Sequence, residues 1–537
     1  MSRLDAVLGR LTMYRTVTLG LGVVLAAAFV LALTGEVGVD PWGLLLGAAV
    51  AVGATLAASV VGGLVVRRRA HVESSIVTGL ILALLMWPST EPTALLALAG
   101  TGAVAGASKY VLAWRGRHLF NPAAVALVVA GLVAWPLLGV PGAAWWVATP
   151  SLLPVLAVVG IAVVARTRHV VPVVAYLLTG LAVVVPDLVS GGESVPAALL
   201  TALGSYPLLF AATIMLTEPL TLPPRRWQQG VEGVVVALLT VLPLSLGPLS
   251  ATPELALVVG NVLGFAWGQR RGARLTVVAS RALDGDVHEL TFRPSRPLRV
   301  APGQWVELHV PHRGDSRGVR RTFSAIPGPD GTLGVAFRVP TAPSSLKRTL
   351  TALEPGAVVD LGAVGGDMLL PRSPQRPVLM VAGGIGVTPF VAMAEQAARQ
   401  GRDAVLVLLH AGTDAPPYLQ RLAATGVRTF VVGPRPVWEL PTRWHHLGVD
   451  LASADLAAAV PDATARGTYV SGSPQRVAQA AAALRAVGVR RVHRDPFVGY
   501  TPPRPGRRGA TRGADRQEDG RAGDRAAQAE VTTSATL

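Results

Sequence analysis

Two short stretches carry residue types that can do chemistry. Arg321-Thr322-Phe323-Ser324 offers a guanidinium for a phosphate, an aromatic face for a flat ring, and a hydroxyl or N–H for a ring nitrogen. Gly383-Gly384-Ile385-Gly386-Val387-Thr388-Pro389 follows the apolar run Val378–Val381 and precedes an Ala-rich helical pattern. A glycine turn between strand and helix lets backbone N–H groups approach a pyrophosphate at the helix N-terminus, and proline suits the first helical turn. Either stretch alone is a weak signal, because many tight turns use glycine.

The surrounding pattern supplies scaffolds for both. From about 275 to 372, apolar and polar residues alternate in short runs: Leu275–Ser280, Val287–Phe292, Gln304–Val310, Leu333–Val339 and Val358–Leu361. Pro302-Gly303, Pro327-Gly328-Pro329 and Pro355-Gly356 punctuate them. This predicts a small antiparallel β-barrel. From 376 to 500, buried-type strands at Val378–Val381, Ala404–Leu409 and Thr468–Ser471 alternate with Ala-rich helices at 389–399 and 474–487. That predicts a parallel α/β nucleotide-binding layer. Residues 501–537 are rich in Pro, Gly, Arg, Asp and Ala, and are expected to form a disordered tail.

Residues 1–270 are of another kind. Hydrophobic residues make up 51% of the 537-residue chain, mean hydropathy is +0.47, and the excess lies in this half. A helix needs about 20 apolar residues to cross the hydrocarbon core, with a lower limit of about 17. Runs at 16–34, 42–66, 74–87, 94–113, 122–140, 151–165, 170–186, 196–216, 231–249 and 253–268 predict a polytopic α-helical membrane domain of about 10 spans, the third short enough to be re-entrant.

Arginines occupy alternate loops: Arg3, Arg10 and Arg15; Arg67, Arg68 and Arg69; Arg115 and Arg117; Arg166 and Arg168; Arg225 and Arg226; Arg270, Arg271 and Arg274. The loops near 35–41, 87–93, 141–150, 186–195 and 247–253 hold no Lys or Arg. This alternation predicts a multi-pass protein of the plasma (inner) membrane with both termini and the C-terminal half in the cytoplasm. The net charge of +16 is read as this orientation signal. The expected partner is therefore the lipid bilayer, and nucleic acid is not expected. The chain has no cysteine, which removes disulfides, cysteine-held zinc and cysteine-held iron–sulfur clusters and leaves redox work to organic cofactors or haem. No metal site is expected.

Several loops of this half are unusually polar for anchors: Ser74-Ser75-Ile76-Val77-Thr78-Gly79-Leu80, Arg117-His118-Leu119-Phe120-Asn121-Pro122, Asp187-Leu188-Val189-Ser190-Gly191-Gly192-Glu193-Ser194, and Thr217-Glu218-Pro219-Leu220-Thr221. Polar groups in or near hydrocarbon are paired or functional. Helix capping and interface turns are the structural alternative. In this order, over roughly 70–265, the segments resemble the membrane subunit shared by the sodium-pumping NADH:quinone reductase (its B subunit) and the Rnf complex (its D subunit). The resemblance implies flavin held in the membrane, with Thr78, Asn121, Ser190, Ser194 and Glu218 at cofactor-binding positions. It also implies an FMN attached to a threonine in an Asp-x-x-Ser-Gly-Ala-Thr motif on the outer side. Here that acceptor position reads Glu193, and Ser194 comes one place late. The departure points to a non-covalent FMN, riboflavin or quinone instead.

The second half, over 275–500, resembles the ferredoxin–NADP reductase family in the order and spacing of its motifs. The resemblance implies FAD, with Arg321 on the flavin phosphate, Phe323 on the isoalloxazine and Ser324 near flavin N5. Thr322 lies in the same stretch. Ser344 and Ser345 match the second phosphate loop, without its usual glycine. Gly383, Gly384, Gly386 and Thr388 would line the nicotinamide dinucleotide. Ser471-Gly472-Ser473-Pro474 would stand beside the nicotinamide, with Ser471 where the family often has cysteine. Asp495-Pro496-Phe497-Val498-Gly499-Tyr500 matches the closing aromatic segment. Ser324 and Ser471 are the candidate catalytic residues. No arginine directly follows Leu409 to grip a 2′-phosphate, which leans the donor toward NADH within NAD(P)H.

The expectation is a membrane flavoprotein oxidoreductase that moves electrons from NAD(P)H through FAD to a flavin, a quinone or an unidentified acceptor in or across the membrane. A haem-based reductase of the ferric-reductase or NADPH-oxidase kind is one alternative, but His71, His118 and His169 all fall in Arg-rich loops rather than mid-span. A redox-linked ion or solute transporter is the other.

Overall fold

The computed structural model describes residues 12–497, apart from 68–69, 116, 247–248, 284–285, 313–318, 413 and 452–455. The expected tail 501–537, Arg3, Arg10, Arg68, Arg69, Gly499 and Tyr500 lie outside the described residues.

In the first half, apolar composition becomes helices. They are α1 (Met13–Leu33), α2 (Pro41–Val65), α3 (Val72–Leu85), α4 (Pro92–Val111), α5 (Pro122–Leu138), α6 (Leu153–Thr167), α7 (Val170–Ser190), α8 (Val195–Gly204), α9 (Leu208–Met215), α10 (Arg226–Val241) and α11 (Pro253–Trp267). Starts follow helix-capping chemistry: Asp40 accepts from the Trp42 N–H at 3.0 Å with Pro41 in the first turn. Close packing between these helices uses small residues. A Cβ on Gly79 would stand 2.7 Å from the Val52 backbone N, and one on Gly106 would stand 2.7 Å from Ala58 Cβ.

Each expected apolar run contains a helix, but they are not equal. Among the described residues, five helices are long and apolar enough to cross a membrane, or up to six if the bent pair α8–α9 is one span. The others run 14 to 17 residues, below the length a full crossing asks for or at its lower edge. The run at 196–216 is not one helix. It breaks at 205–207, before Pro207, whose missing N–H cannot continue the ladder; the two pieces meet at 58°, and the second ends in a π-turn at Ala211–Met215. The expected outer loop also starts later than read: Asp187, Leu188, Val189 and Ser190 form the last turn of α7, and Pro186 is carried inside the helix.

The second half begins with a closed barrel of β1 (Ala273–Ala282), β2 (Val287–Pro294), β3 (Trp305–His309), β4 (Arg320–Pro327), β5 (Leu333–Arg338) and β6 (Val358–Gly365), paired antiparallel in the order β6-β1-β2-β5-β4-β3 and back to β6. Alternation sends Val306, Leu308, Leu290, Phe292 and Leu361 into its core. Helix α12 (Ser345–Thr351) precedes β6.

The parallel sheet follows: β7 (Val378–Gly383), α13 (Thr388–Arg399), β8 (Ala404–Leu409), α14 (Leu419–Ala424), β9 (Arg428–Val432), β10 (Trp444–Gly448), α15 (Leu456–Ala459), β11 (Gly467–Gly472), α16 (Pro474–Ala486) and β12 (Val492–Pro496). Its strand order is β10-β9-β8-β7-β11-β12. Strands β7 and β8 are buried at every position, as a sheet covered on both faces requires. Barrel and sheet share one apolar cluster, in which Val287, Ile326 and Ala336 meet Met380, Phe390 and Tyr418.

Candidate functional site

The strand order reverses direction between β7 and β11. At such a switch point the strand ends splay and leave a crevice for a nucleotide. Both strands end here in glycine, and each is followed by a helix. After Gly383 the chain turns through Gly384 (φ +60°), a left-handed conformation natural to glycine. A Cβ on Gly386 would collide with the Ser471 carbonyl oxygen and stand 2.6 Å from Gly472 Cα. The two motifs therefore abut through bare backbone. Thr388 Oγ1 donates to the Ile385 carbonyl at 2.7 Å and ties the turn. On the other strand, Ser473 Oγ accepts from the Arg476 N–H at 3.4 Å and caps α16, with Pro474 in the first turn. Two helix N-termini thus open on one crevice, a positive site built from backbone.

Ser471 lies in the crevice wall, buried, its Oγ without a hydrogen-bond partner. Next to it, β12 places Asp495 opposite Ser471, and the Phe497 N–H donates to the Gly472 carbonyl at 2.8 Å. Burial pushes the Asp495 carboxyl up to about 6, against the opposing pull of Arg226.

Helix α13 packs against β4 and so brings Arg321–Ser324 to the same region. That stretch is a true strand, which the alternation did not announce: Arg321 pairs with Leu308, Thr322 with Glu307, Phe323 with Val306 and Ser324 with Trp305. Thr322 is exposed, Ser324 is buried, and the Arg321 Nη1 donates to the Arg320 carbonyl at 2.6 Å. The Phe323 ring lies 6.0 Å from that of Phe337. Ser344 caps α12, accepting from the Lys347 N–H at 3.4 Å, and Ser345 Oγ is buried without a partner. These features suit a phosphate-bearing dinucleotide: a glycine turn that admits no Cβ, two unspent buried hydroxyls, and an arginine on β4.

Arg476 escaped the sequence reading. From the first turn of α16 its guanidinium reaches the Leu409 carbonyl, at the end of β8. A cation does stand there, contributed by another element. The only sequence hint is its position three residues after a capping serine.

In the helical half the expected residues fall into two groups. Thr78, Asn121 and Glu218 lie with the Arg-rich loops. Thr78 donates back to the Ser74 carbonyl at 2.8 Å, and Lys109 Nζ donates to Ser74 Oγ and Ser75 Oγ at 3.2 and 3.3 Å. Asn121 caps α5 through Ala123 and Ala124, donates to the Met215 carbonyl at 3.3 Å, and gives its backbone N–H to Asn261 at 2.7 Å. Glu218 meets His118 Nε2 at 2.7 Å, while its Oε2 is buried without a hydrogen bond. Ser190 and Ser194 stand at the other end of α7, a 21-residue helix about 30 Å long. Ser190 donates to the Asp187 carbonyl at 2.7 Å, and Ser194 caps α8. Glu193 accepts from Thr201 at 3.0 Å. One compact cofactor site cannot use both groups.

Arg117 is the residue the loop reading undervalued. Buried, it donates to the Leu220 carbonyl at 2.7 Å, to the Pro219 carbonyl at 3.2 Å, and to Glu307 Oε1 of barrel strand β3 at 2.8 Å. Gln269 adds bonds to the His118 and Leu220 carbonyls, both at 3.1 Å. Arg226 donates its backbone N–H to Asp367 at 3.1 Å. Glu232, on α10, is fully buried with neither carboxyl oxygen hydrogen-bonded, a second feature that no loop motif flagged.

The chain is 36% identical over 138 residues to a ferredoxin–NADP reductase B of Sorangium cellulosum, a match covering 25% of this chain and 55% of that protein. It is 34% identical over 158 residues to the electron transfer subunit of a dihydroorotate dehydrogenase B (NAD(+)) of Geobacillus thermodenitrificans, covering 28% and 60%. Over these stretches the chain is similar to a ferredoxin reductase and to an electron transfer subunit. The chain spans just over half the length of these relatives. A solved cytochrome P450 reductase of Amycolatopsis overlays at a TM-score of 0.36 with 24% identity, covering 42% of this chain and 69% of that one. No protein-family model matches the chain.

Proposed function

We propose that this chain is a membrane-bound, NAD(P)H-dependent flavin oxidoreductase whose C-terminal half feeds electrons into its own helical half. The relatives are a reductase and an electron transfer subunit, which supports the class of chemistry. The observation that carries the rest is the seam. Glu307 sits directly across from Thr322, beside Arg321 and Phe323, and is bound to Arg117 of the helical half. The strand next to the proposed flavin-binding strand is thereby fastened to the helices.

FAD, when bound, takes an electron pair from NAD(P)H as hydride and gives it up in single steps. Arg321 would hold its phosphate, Ser345 would supply a second phosphate donor, and Phe323 would offer an aromatic face to its ring. Ser324 donates at the ring edge. The Gly383–Thr388 turn and the α16 N-terminus hold the dinucleotide pyrophosphate with backbone N–H groups. Ser471 orients the nicotinamide. Phe497, tied to Gly472, shields it from water. Arg476 gives the end of β8 a cation, so the donor is NADH or NADPH.

The helical half lies in the plasma membrane with its Arg-rich loops, both termini and the reductase half cytoplasmic. Leu19, Val23, Val30, Leu64, Val158, Ile161 and Leu178 point outward from their helices. Trp42 and Trp87 are exposed toward one rim of the bundle and Trp114 and Trp227 toward the other, the distribution of interfacial aromatic belts. Thr78, Asn121 and Glu218 belong to the inner side, where a non-covalent flavin or a quinone receives the electrons. Flavin analysis of the purified full chain tests this reading. Acid precipitation should release FAD, and NADH or NADPH should bleach it under anaerobic conditions. A chain that takes up no flavin on reconstitution, or whose flavin neither donor bleaches, is not this enzyme.

A further inference from the structure

The seam contains a cleft that the electron path does not use. The hairpin pairing Ala113 with His118 and Trp114 with Arg117 projects Arg115 into it, in a left-handed conformation (φ +50°) that a non-glycine residue holds only under constraint. Arg115 Nη1 is buried and has no hydrogen-bond partner among the described residues, and its guanidinium lies 5.9 Å from the centre of the Trp114 ring. Arg117 and Gln269 close the cleft on the helical side; His309, Arg320 and Asp360 close it on the barrel side. Gln269 Oε1 is likewise buried without a partner.

The charges do not balance. Among the described residues, Arg115, Arg117 and Arg320 line the cleft with Asp360, and Arg117 is already held by the Glu307 carboxylate, three positive groups against two negative. A buried guanidinium N–H with no acceptor is costly, which makes the site receptive to an anion. The cleft is narrow, with a free volume of about 10 Å³. A ligand therefore reaches in with oxygen atoms and not with a ring. Trp114, 46% exposed, stands at the mouth.

We propose that this cleft binds a phosphate group, with Arg115 as its principal ligand, so that an anion is held in the joint between the helical half and the barrel. The phosphate is either the headgroup of an acidic phospholipid in the adjoining leaflet or a free phosphate. The lipid source rests on the membrane placement proposed above; the phosphate chemistry does not. Arg115 lies outside the dinucleotide crevice, so flavin bleaching by NAD(P)H reports on that reading separately.

The test uses the full chain, delipidated in a neutral detergent. Thermal unfolding is followed with inorganic phosphate against chloride at equal ionic strength, and in phosphatidylcholine bilayers with and without phosphatidylglycerol. Stabilisation by phosphatidylglycerol, with one phospholipid retained per chain in native mass spectra, assigns the lipid; stabilisation by phosphate alone assigns the free anion. Either supports the site if Arg115→Gln weakens the effect about tenfold or more, the loss of one charge-assisted bond, while NAD(P)H–ferricyanide turnover is kept. Asp360→Asn should strengthen binding severalfold, a gain that misfolding cannot mimic. No stabilisation in either arm, or Arg115→Gln and Asp360→Asn both behaving as the unaltered chain, overturns the proposal.

Discussion

The two halves use polar residues in opposite ways. In the C-terminal half several residues of the motifs are left open: Ser345 and Ser471 have unspent hydroxyls, and Gly386 admits no side chain. In the helical half the polar residues of the motifs are largely consumed by packing. Asn121 alone ties α5, α9 and α11 together. A motif on a parallel sheet therefore reports a ligand directly, because the sheet already satisfies its own backbone. A motif between apolar helices first reports what the backbone needs, and in the membrane placement proposed above no water would be present to satisfy it.

That contrast can be broken or sharpened by substitution. The largest effect is expected from Gly386→Val. It forces the turn away from Ser471 and Gly472, and NAD(P)H-driven turnover should fall about a hundredfold or more, read by steady-state assay with ferricyanide. Near-unaltered turnover would mean the turn does not hold the dinucleotide. Asn121→Ala comes next. Loss of the cap and of the Met215 bond should lower thermal stability by about 1–2 kcal/mol, with ferricyanide turnover unchanged. A selective loss of membrane-acceptor reduction without destabilisation would make Asn121 a ligand-binding residue after all.

The smallest expected effect concerns Asp495. Its carboxyl lies at about 6 in the folded chain against an ordinary 3.8. Between those values the folded state binds more protons than the unfolded, so stability should fall as pH rises from about 4 to about 6 and stay level above. For this partly buried carboxyl the contribution is about 1 kcal/mol after solvent screening. Asp495→Asn should flatten that slope in pH-dependent unfolding; an unchanged slope would place its origin elsewhere.

Much of the C-terminal fold was legible because its strands are of two pure kinds, alternating in the barrel and wholly apolar in the sheet. Strands β9, β10 and β12 were not, since Trp444-His445-His446 and Val492-His493-Arg494 carry polar residues toward the sheet edges. Strand β4 was read as a motif before it could be read as a strand. In the helical half the apolar runs located the helices, but not the break before Pro207 or the end of α7, because hydropathy does not register backbone direction. Arg117 looked like one orienting arginine among many; its role depends on Glu307, 190 residues away. No spacing rule reaches that far.

The most direct test of the join between the halves compares two acceptors. NAD(P)H oxidation by the full chain in bilayers is measured with ferricyanide and with a membrane quinone, for the unaltered chain, Arg117→Ala and Glu307→Gln. If the seam carries electrons from the reductase half into the helices, both variants keep the ferricyanide rate and lose the quinone rate. Equal loss of both rates, or retention of both, contradicts it.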